Sequence, residues 1–307
     1  MALSLATLAA LLLDALLGEP RAYHPLAGFG RIAAAVEARL NQDRRIAGIA
    51  ATGLLVLLPV LIFWGVIAVL PATAGWIVAA LLAALCIAGR SLREHGLAVL
   101  QPLAAGDIAA ARQRVGWLVS RETDRMDALA IRRATIESLL ENASDGVFAS
   151  LFWFAAGGLL AGPAGAGALV VMQRLANTLD AMWGYRTPRF ARFGWAAARL
   201  DDALNWPAAR ITALCYALMG DTANALGCWR QQARAFDSPN AGPVMSAGAG
   251  ALRLQLGGGG HYHGAWRARA ILGNGAEPGD DDIHRTLGLL WRALIVWCVL
   301  IVLVDVW

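Results

Sequence analysis

The sequence predicts an all-α integral membrane protein. We expect a polytopic helix bundle of about five to six membrane-embedded segments, with a helical cytoplasmic region. Three observations carry this. Of the 307 residues, 58% are hydrophobic and 16% charged, where a soluble domain carries about 25% charged residues. Apolar runs near spanning length recur at 46–70, 72–88 and 287–307, and a bilayer crossing needs about 20 residues. The net charge of +4 comes entirely from arginine, because the chain has no lysine. The arginines cluster in loops, as the positive-inside rule expects, so the charge argues for topology and not for nucleic acid. The missing lysine also excludes a Walker A or Schiff-base lysine. Cys86, Cys215, Cys228 and Cys298 are scattered without a C-x-x-C pair, so neither a zinc site nor a disulfide framework is implied.

Ala2 to Leu17 reads as an apolar helix interrupted by Asp14. It lacks a basic leader and a small-residue cleavage site, so a retained helix is expected. The loop from Gly18 to Pro25 carries two prolines. It is either a helix-ending turn or a stiff loop that positions Glu19 and His24 near a ligand. Ile32 to Leu40 is a short amphipathic segment. The runs 46–70 and 72–88 form a hairpin around Pro71, with Arg44 and Arg45 before it and Arg90 and Arg93 after it. Both ends therefore face the cytoplasm. Within a single membrane domain, 1–307, residues 91–146 read as a cytoplasmic helical insertion. Its arginines suit either phosphate and carboxylate recognition or a basic flank against anionic lipid.

Glu137, Glu141 and Asp145 stand four apart, so on a helix they form one acidic stripe, with Arg133 one turn earlier and Ser138 and Asn142 beside it. The bland alternative is a solvated face with an Arg133–Glu137 pair. The stripe, however, runs into the apolar segment Val147–Phe154, where unpaired carboxylates are costly. The apolar continuation to Met172 is broken at Gly162-Pro163 into two arms, each too short to span alone. A chain that turns back there sets Glu141, Asn142 and Asp145 opposite Asn177 and Asp180. One continuous span kinked at Pro163 sets them apart. In the hairpin, the facing acids and amides suit Mg²⁺ or phosphate, with Glu141, Asp145 and Asp180 as metal ligands.

Asp201 and Asp202 read as helix N-terminal caps. Phe236–Pro243 is a dense turn signal. Gly257–Gly260 offers backbone N–H groups to an anion, but four glycines alone say little. His261 and His263 suit a metal or a solvated loop. Asp280, Asp281 and Asp282 sit in an acidic loop before the last apolar span, whose end is expected away from the cytoplasm.

Taken as an ordered set, these motifs resemble the adenosylcobinamide-phosphate synthase family of cobalamin biosynthesis (the CobD/CbiB proteins). The set is Asp14, Gly18-Glu19-Pro20 and His24-Pro25; Val119–Thr123; Ile136-Glu137-Ser138, Glu141-Asn142 and Asp145-Gly146; Asn177–Asp180 and Gly184-Tyr185-Arg186; Asp201-Asp202, Asn205 and Pro207–Arg210; Ser238–Gly242; and Gly257-Gly258, Tyr262 and Gly264. The family more often has Asp where this chain has Glu19 and Glu122, and a Trp-Pro pair where Pro243-Val244 follows Asn240–Gly242. The resemblance implies amide-bond formation between adenosylcobyric acid and (R)-1-amino-2-propanol or its O-phosphate, with ATP and Mg²⁺. It implies a multi-pass inner-membrane enzyme, its active site facing the cytoplasm, that meets corrinoid, amine, lipid and other cobalamin-biosynthesis enzymes. On that footing Glu137 or His24 takes the amine proton, and Glu141, Asp145 and Asp180 handle Mg²⁺. Arg121, Asn142, Arg174, Asn177, Asn205, Arg210 and Asn240 bind substrate or phosphate. Two other classes remain open: an Mg²⁺-dependent intramembrane prenyl- or alcohol-phosphate transferase, and a non-catalytic scaffold for corrin enzymes.

Overall fold

A computed structural model describes residues 1–20, 24–262 and 264–307. The middle of the first loop, Arg21–Tyr23, and His263 lie outside the described residues. In chain order the helices are α1 (Ala2–Leu17), α2 (Pro25–Leu40), α3 (Arg45–Ala68), α4 (Ala72–Cys86), α5 (Gly89–Ala104) and α6 (Ile108–Val115). Then come α7 (Ala128–Ala143), a π-helical turn (Ser144–Phe148), α8 (Ala149–Trp183), α9 (Trp195–Met219) and α10 (Thr222–Gln232). A 3₁₀ turn (Ala233–Ala235), α11 (Ala241–Leu252), strands β1 (Gly260–Tyr262) and β2 (Ala265–Arg267), and α12 (Asp281–Val306) complete the chain. The helical, membrane-type architecture expected from composition is present. Among the described residues four helical stretches are long and apolar enough to cross a membrane: Arg45–Ala68, Ala72–Ala104, Ala128–Trp183 and Asp281–Val306. The shorter α1 is also apolar. The small antiparallel hairpin, with His261 opposite Trp266, was not expected.

Chain contacts divide the molecule into two units. The first comprises 1–89, 145–205 and 298–307. Its α3 has 24 residues and a mean hydropathy of 2.6, about 36 Å of helix at 1.5 Å per residue. Large apolar side chains of α3, such as Leu57, Leu58 and Leu61, remain exposed, as a lipid-facing surface requires. Small residues let α8 approach its neighbours: a Cβ at Gly75 of α4 would meet the Pro163 ring at 3.0 Å. The termini meet, with the Met1 ammonium 2.8 Å from Asp305 Oδ2.

The hairpin alternative for α8 is the one that forms. Ala161 and Gly162 leave helical geometry, and Gly162 takes φ 62, a conformation glycine adopts without strain. Beyond the turn the arms run antiparallel: a Cβ at Gly157 would stand 2.2 Å from the Gly165 carbonyl, and Ser150 Oγ donates to Gln173 Oε1 at 3.1 Å. A continuous helix would separate Ser150 and Gln173 by about 35 Å.

The second unit comprises 90–144 and 206–297. Asp127 caps α7 by accepting the Ala130 N–H at 2.8 Å. Buried α11 lies against α10 and α7. The basic stretch and the acidic loop, read separately in the sequence, pair here: Arg132 with Asp280 at 2.6 Å and Arg133 with Glu277 at 3.0 Å. The Arg133–Glu137 pair of the solvated-face alternative gives way to Arg133–Glu277 and Arg121–Glu137. The reason is burial: Glu137 is only 3% exposed, so it needs inward partners rather than a solvated neighbour one turn away.

Candidate functional site

In the first unit, Gln173, Arg174, Asn177 and Asp180 occupy successive turns of the returning arm of α8, and Asp201 and Asn205 sit one turn apart on α9. A buried network ties them together. Gln173 Nε2 donates to the Asp145 carbonyl at 3.0 Å and to Asn205 Oδ1 at 3.1 Å. Asn205 Nδ2 and Asn177 Nδ2 both donate to Asp201 Oδ1, at 2.9 and 3.2 Å. Arg174 Nη1 reaches Asn177 Oδ1 at 3.4 Å. Gln173 and Ser150 are fully buried, and Asn205 nearly so. Such a network orients its members because each buried polar atom must keep its partner.

Two features of this network leave room for a ligand. Asp201 is held well above the usual carboxylate range, first by burial and then by the neighbouring Asp180 carboxylate. Burial raises Asp202 as well, against the arginines Arg199 and Arg186. Two close carboxylates repel each other unless a proton or a cation lies between them. Arg174 Nε is buried without a hydrogen-bond partner, a donor that an incoming oxyanion would satisfy. Among the described residues no three His, Cys, Asp or Glu side chains are gathered as a metal cage. The donor set still fits Mg²⁺, which is usually held by one or two carboxylates together with substrate oxygens and water. Asp180 and Asp201 are that pair.

Gly184 leaves the space that the Asp180 carboxylate occupies. A Cβ there would stand 2.1 Å from Asp180 Oδ1, so Gly184→Ala must displace the carboxylate. We expect turnover to fall about tenfold or more, as small misplacements of catalytic groups do, while the protein still elutes as a monodisperse peak in detergent. A wild-type rate in this variant would argue that the position of Asp180 is immaterial.

The second unit holds another constellation. Glu137 Oε1 accepts the Gly257 N–H at 2.7 Å, and its Oε2 accepts from Arg121 at 2.5 Å and faces Arg269 at 3.5 Å. Glu122 accepts the Gly264 N–H at 2.6 Å, and its own N–H donates to the His261 carbonyl at 2.9 Å. A cavity of about 220 Å³ lies beside the glycine loop, with Arg121, Arg133 and Trp266 in its wall. Arg133 Nε and His261 Nδ1 are buried there without hydrogen-bond partners. In the same unit, Arg210 donates to Asn240 Oδ1 at 2.7 Å and to the Pro239 carbonyl at 2.8 Å.

The residues named from sequence thus fall into separate groups. Asp145, Arg174, Asn177, Asp180 and Asn205 belong to the first unit and Glu137, Glu141, Asn142, Arg121, Arg210 and Asn240 to the second. The acidic stripe does not continue as one α-helix, because α7 ends at Ala143 and Asp145 lies in the π-helical turn. Such turns recur at functional sites. Asn142 donates to Ser138 Oγ at 2.8 Å. His24 caps α2, its Nδ1 accepting the Leu26 N–H at 3.1 Å. That bond puts the neutral ring's proton on Nε2. The capping expectation for Asp201 and Asp202 is overturned: α9 begins at Trp195 and has no acidic residue in its first turn. Asp201 is the site residue that the sequence reasoning missed. Its signal was Asn205, one turn on, which makes a second polar position on the same face of the helix.

Comparison with known proteins finds relatives over nearly the whole chain. A family model described as CobD/Cbib protein matches residues 7–290. The chain is 49% identical over 311 residues to the cobalamin biosynthesis protein CobD of Stutzerimonas stutzeri, covering 100% of this chain and 99% of the relative. It is 50% identical over 300 residues to the protein of that name from Chromobacterium violaceum, covering 95% and 93%. The Mycobacterium tuberculosis counterpart is 38% identical over 291 residues, covering 91% and 88%. No solved structure matches.

Proposed function

Because the chain belongs to the CobD/Cbib family of cobalamin biosynthesis proteins, we propose that it joins a corrinoid carboxylate to an amino alcohol as an ATP-dependent acid–amine ligase. The acid is adenosylcobyric acid, and the amine is (R)-1-amino-2-propanol or its O-phosphate. The observation that supports this best is the buried acid–amide network of α8 and α9, with Asp180 of α8 close to Asp201 of α9 and the unsatisfied Arg174 Nε on the same α8 arm as Asp180.

A carboxylate resists attack by an amine in water. Phosphoryl transfer from ATP to the acid oxygen gives a leaving group, the amine nitrogen then attacks the carbonyl carbon, and phosphate departs with that oxygen. Mg²⁺ at Asp180 and Asp201 would neutralise charge on the phosphoryl oxygens. Arg174, steadied by Asn177, clamps an oxyanion. Asn177 and Asn205 hold Asp201 in one orientation, and Gln173 in turn holds Asn205. Asp145 is carried to this arm by the π-helical turn and adds a further acid. In the second unit, both oxygens of Glu137 are already engaged by Gly257, Arg121 and Arg269. Its part is therefore to position the glycine loop rather than to accept the amine proton. The lipid-facing helices make the protein multi-pass, and we place it in the inner membrane with this chemistry on the cytoplasmic side.

The test is turnover by the purified protein in detergent with adenosylcobyric acid, each form of the amine, ATP and Mg²⁺, read by mass spectrometry of the amide. Amide formed only with ATP and Mg²⁺ is the expected result. Turnover of a prenyl diphosphate instead would favour the transferase class, and no turnover with either set would favour the scaffold.

A further inference from the structure

The second unit carries an open groove of about 700 Å³ that the chemistry above does not use. Its walls include Arg210, Trp229, Arg230, Arg234, Phe236 and Asp237. Three arginines and one aspartate are among the residues that line it. Arg210 belongs to α9, Arg230 to the last turn of α10, and Arg234 to the 3₁₀ turn that follows.

Arg210 is the most informative of the three. It is anchored by the Asn240 amide oxygen and by the carbonyls of Pro239 and Trp206, all neutral, and it stacks 4.5 Å over the Trp206 ring. The turn that holds it is itself braced, because Ser238 Oγ accepts from the N–H groups of Asn240 and Ala241 at 3.2 Å. Among the described residues no carboxylate pairs with Arg210, Arg230 or Arg234. Elsewhere in this unit Arg121, Arg132, Arg133, Arg253 and Arg285 all have carboxylate partners. A dipole argument covers a basic residue at the end of α10. It does not cover Arg210, which sits on another helix and is fixed in one orientation with donors left over.

We infer that this groove binds a soluble phosphate ester or anhydride, its phosphate held by Arg210, Arg230 and Arg234 and its body lying against Trp229 and Phe236. Arginine forks match phosphate oxygens in pairs, and in a chain without lysine they are the means left for doing so. The aromatic walls favour a flat or apolar body over a bare ion. The inference rests on the reading above for two of its probes, which are co-substrates of the proposed reaction, but it is tested by binding and not by turnover.

The experiment is equilibrium binding to the full-length protein in nanodiscs of neutral lipid, with three probes. These are a non-hydrolysable ATP analogue, 1-amino-2-propanol O-phosphate and inorganic pyrophosphate. At least one should bind, more weakly as salt rises. Arg230→Ala with Arg234→Ala should weaken it tenfold or more, and Arg210→Ala should do the same, with the circular dichroism spectrum unchanged. The probe that binds identifies the source of the phosphate. The inference is overturned if none of the three binds. It is also overturned if binding persists at wild-type strength in both variants, or if only anionic lipid added to the nanodisc occupies the groove.

Discussion

Asp180→Asn should lose turnover by at least about a hundredfold, the scale on which single electrostatic groups act in catalysis, without losing stability. The substitution keeps the shape of the side chain, exchanges one acceptor oxygen for an NH₂ donor and removes the charge. A residue kept for structure would then report a cost on unfolding. Asp180 should not, because its carboxylate already repels Asp201, and neutralising one of two close carboxylates relieves the other. The thermal midpoint should stay level or rise, the pattern of a site that gives up stability for function. The pH dependence follows the same logic. The folded pKa of Asp201 is raised, so its ionisation opposes folding. Without divalent cation, wild-type stability should fall as pH climbs from the ordinary carboxylate range through the raised value of Asp201. In Asp180→Asn that fall should shrink. Wild-type turnover in this variant would remove Asp180 from the chemistry, and a large drop in thermal midpoint would make it a structural acid.

How much of this could be read in advance depends on which forces set it. The membrane class was legible because hydropathy and arginine placement are sums over many residues. The α8 hairpin was legible because Gly162-Pro163 breaks or kinks a helix and the two flanking arms match in length. One consequence of the hairpin, the Asp145 backbone returned to the level of Gln173, was legible too. Asp201 was not. Its acidic pair looks like a cap unless one knows that α9 starts six residues earlier, and helix ends are set by tertiary context as much as by local residues. The break of the acidic stripe at Ser144 was equally hidden, since a π-helical turn has no simple sequence signature. The partners of Glu137 lie 16, 120 and 132 residues away, and helical spacing speaks only to neighbours three and four apart.

Those distant partners make Glu137 the position where substitution should cost the fold most. Its carboxylate is 3% exposed and its Arg121 partner 8%, so the pair is out of water on both sides. Glu137→Ala removes the anion and leaves the guanidinium buried and uncompensated, a change that costs about 3–5 kcal/mol in comparable pairs. It also releases the Gly257 N–H at a loop position that accepts no side chain: Gly257 has φ 84, and a Cβ there would stand 2.1 Å from the Ala270 carbonyl. The loop 257–260 is held by this one carboxylate from below and by the short β-hairpin at its end. We therefore expect Glu137→Ala to lower the thermal midpoint in detergent by several degrees and to open the loop to proteolysis. Arg269→Ala should do far less, because its 3.5 Å contact is long and Arg269 also rests on the Phe236 ring. A paired change, Glu137→Leu with Arg121→Met, should recover much of the loss, since replacing both members of a buried ion pair removes the orphaned charge. If the single variant melts like the wild type, the loop is held by its own glycine geometry. If the double variant is as unstable as the single, the cost lies in the lost Gly257 bond and not in the stranded arginine.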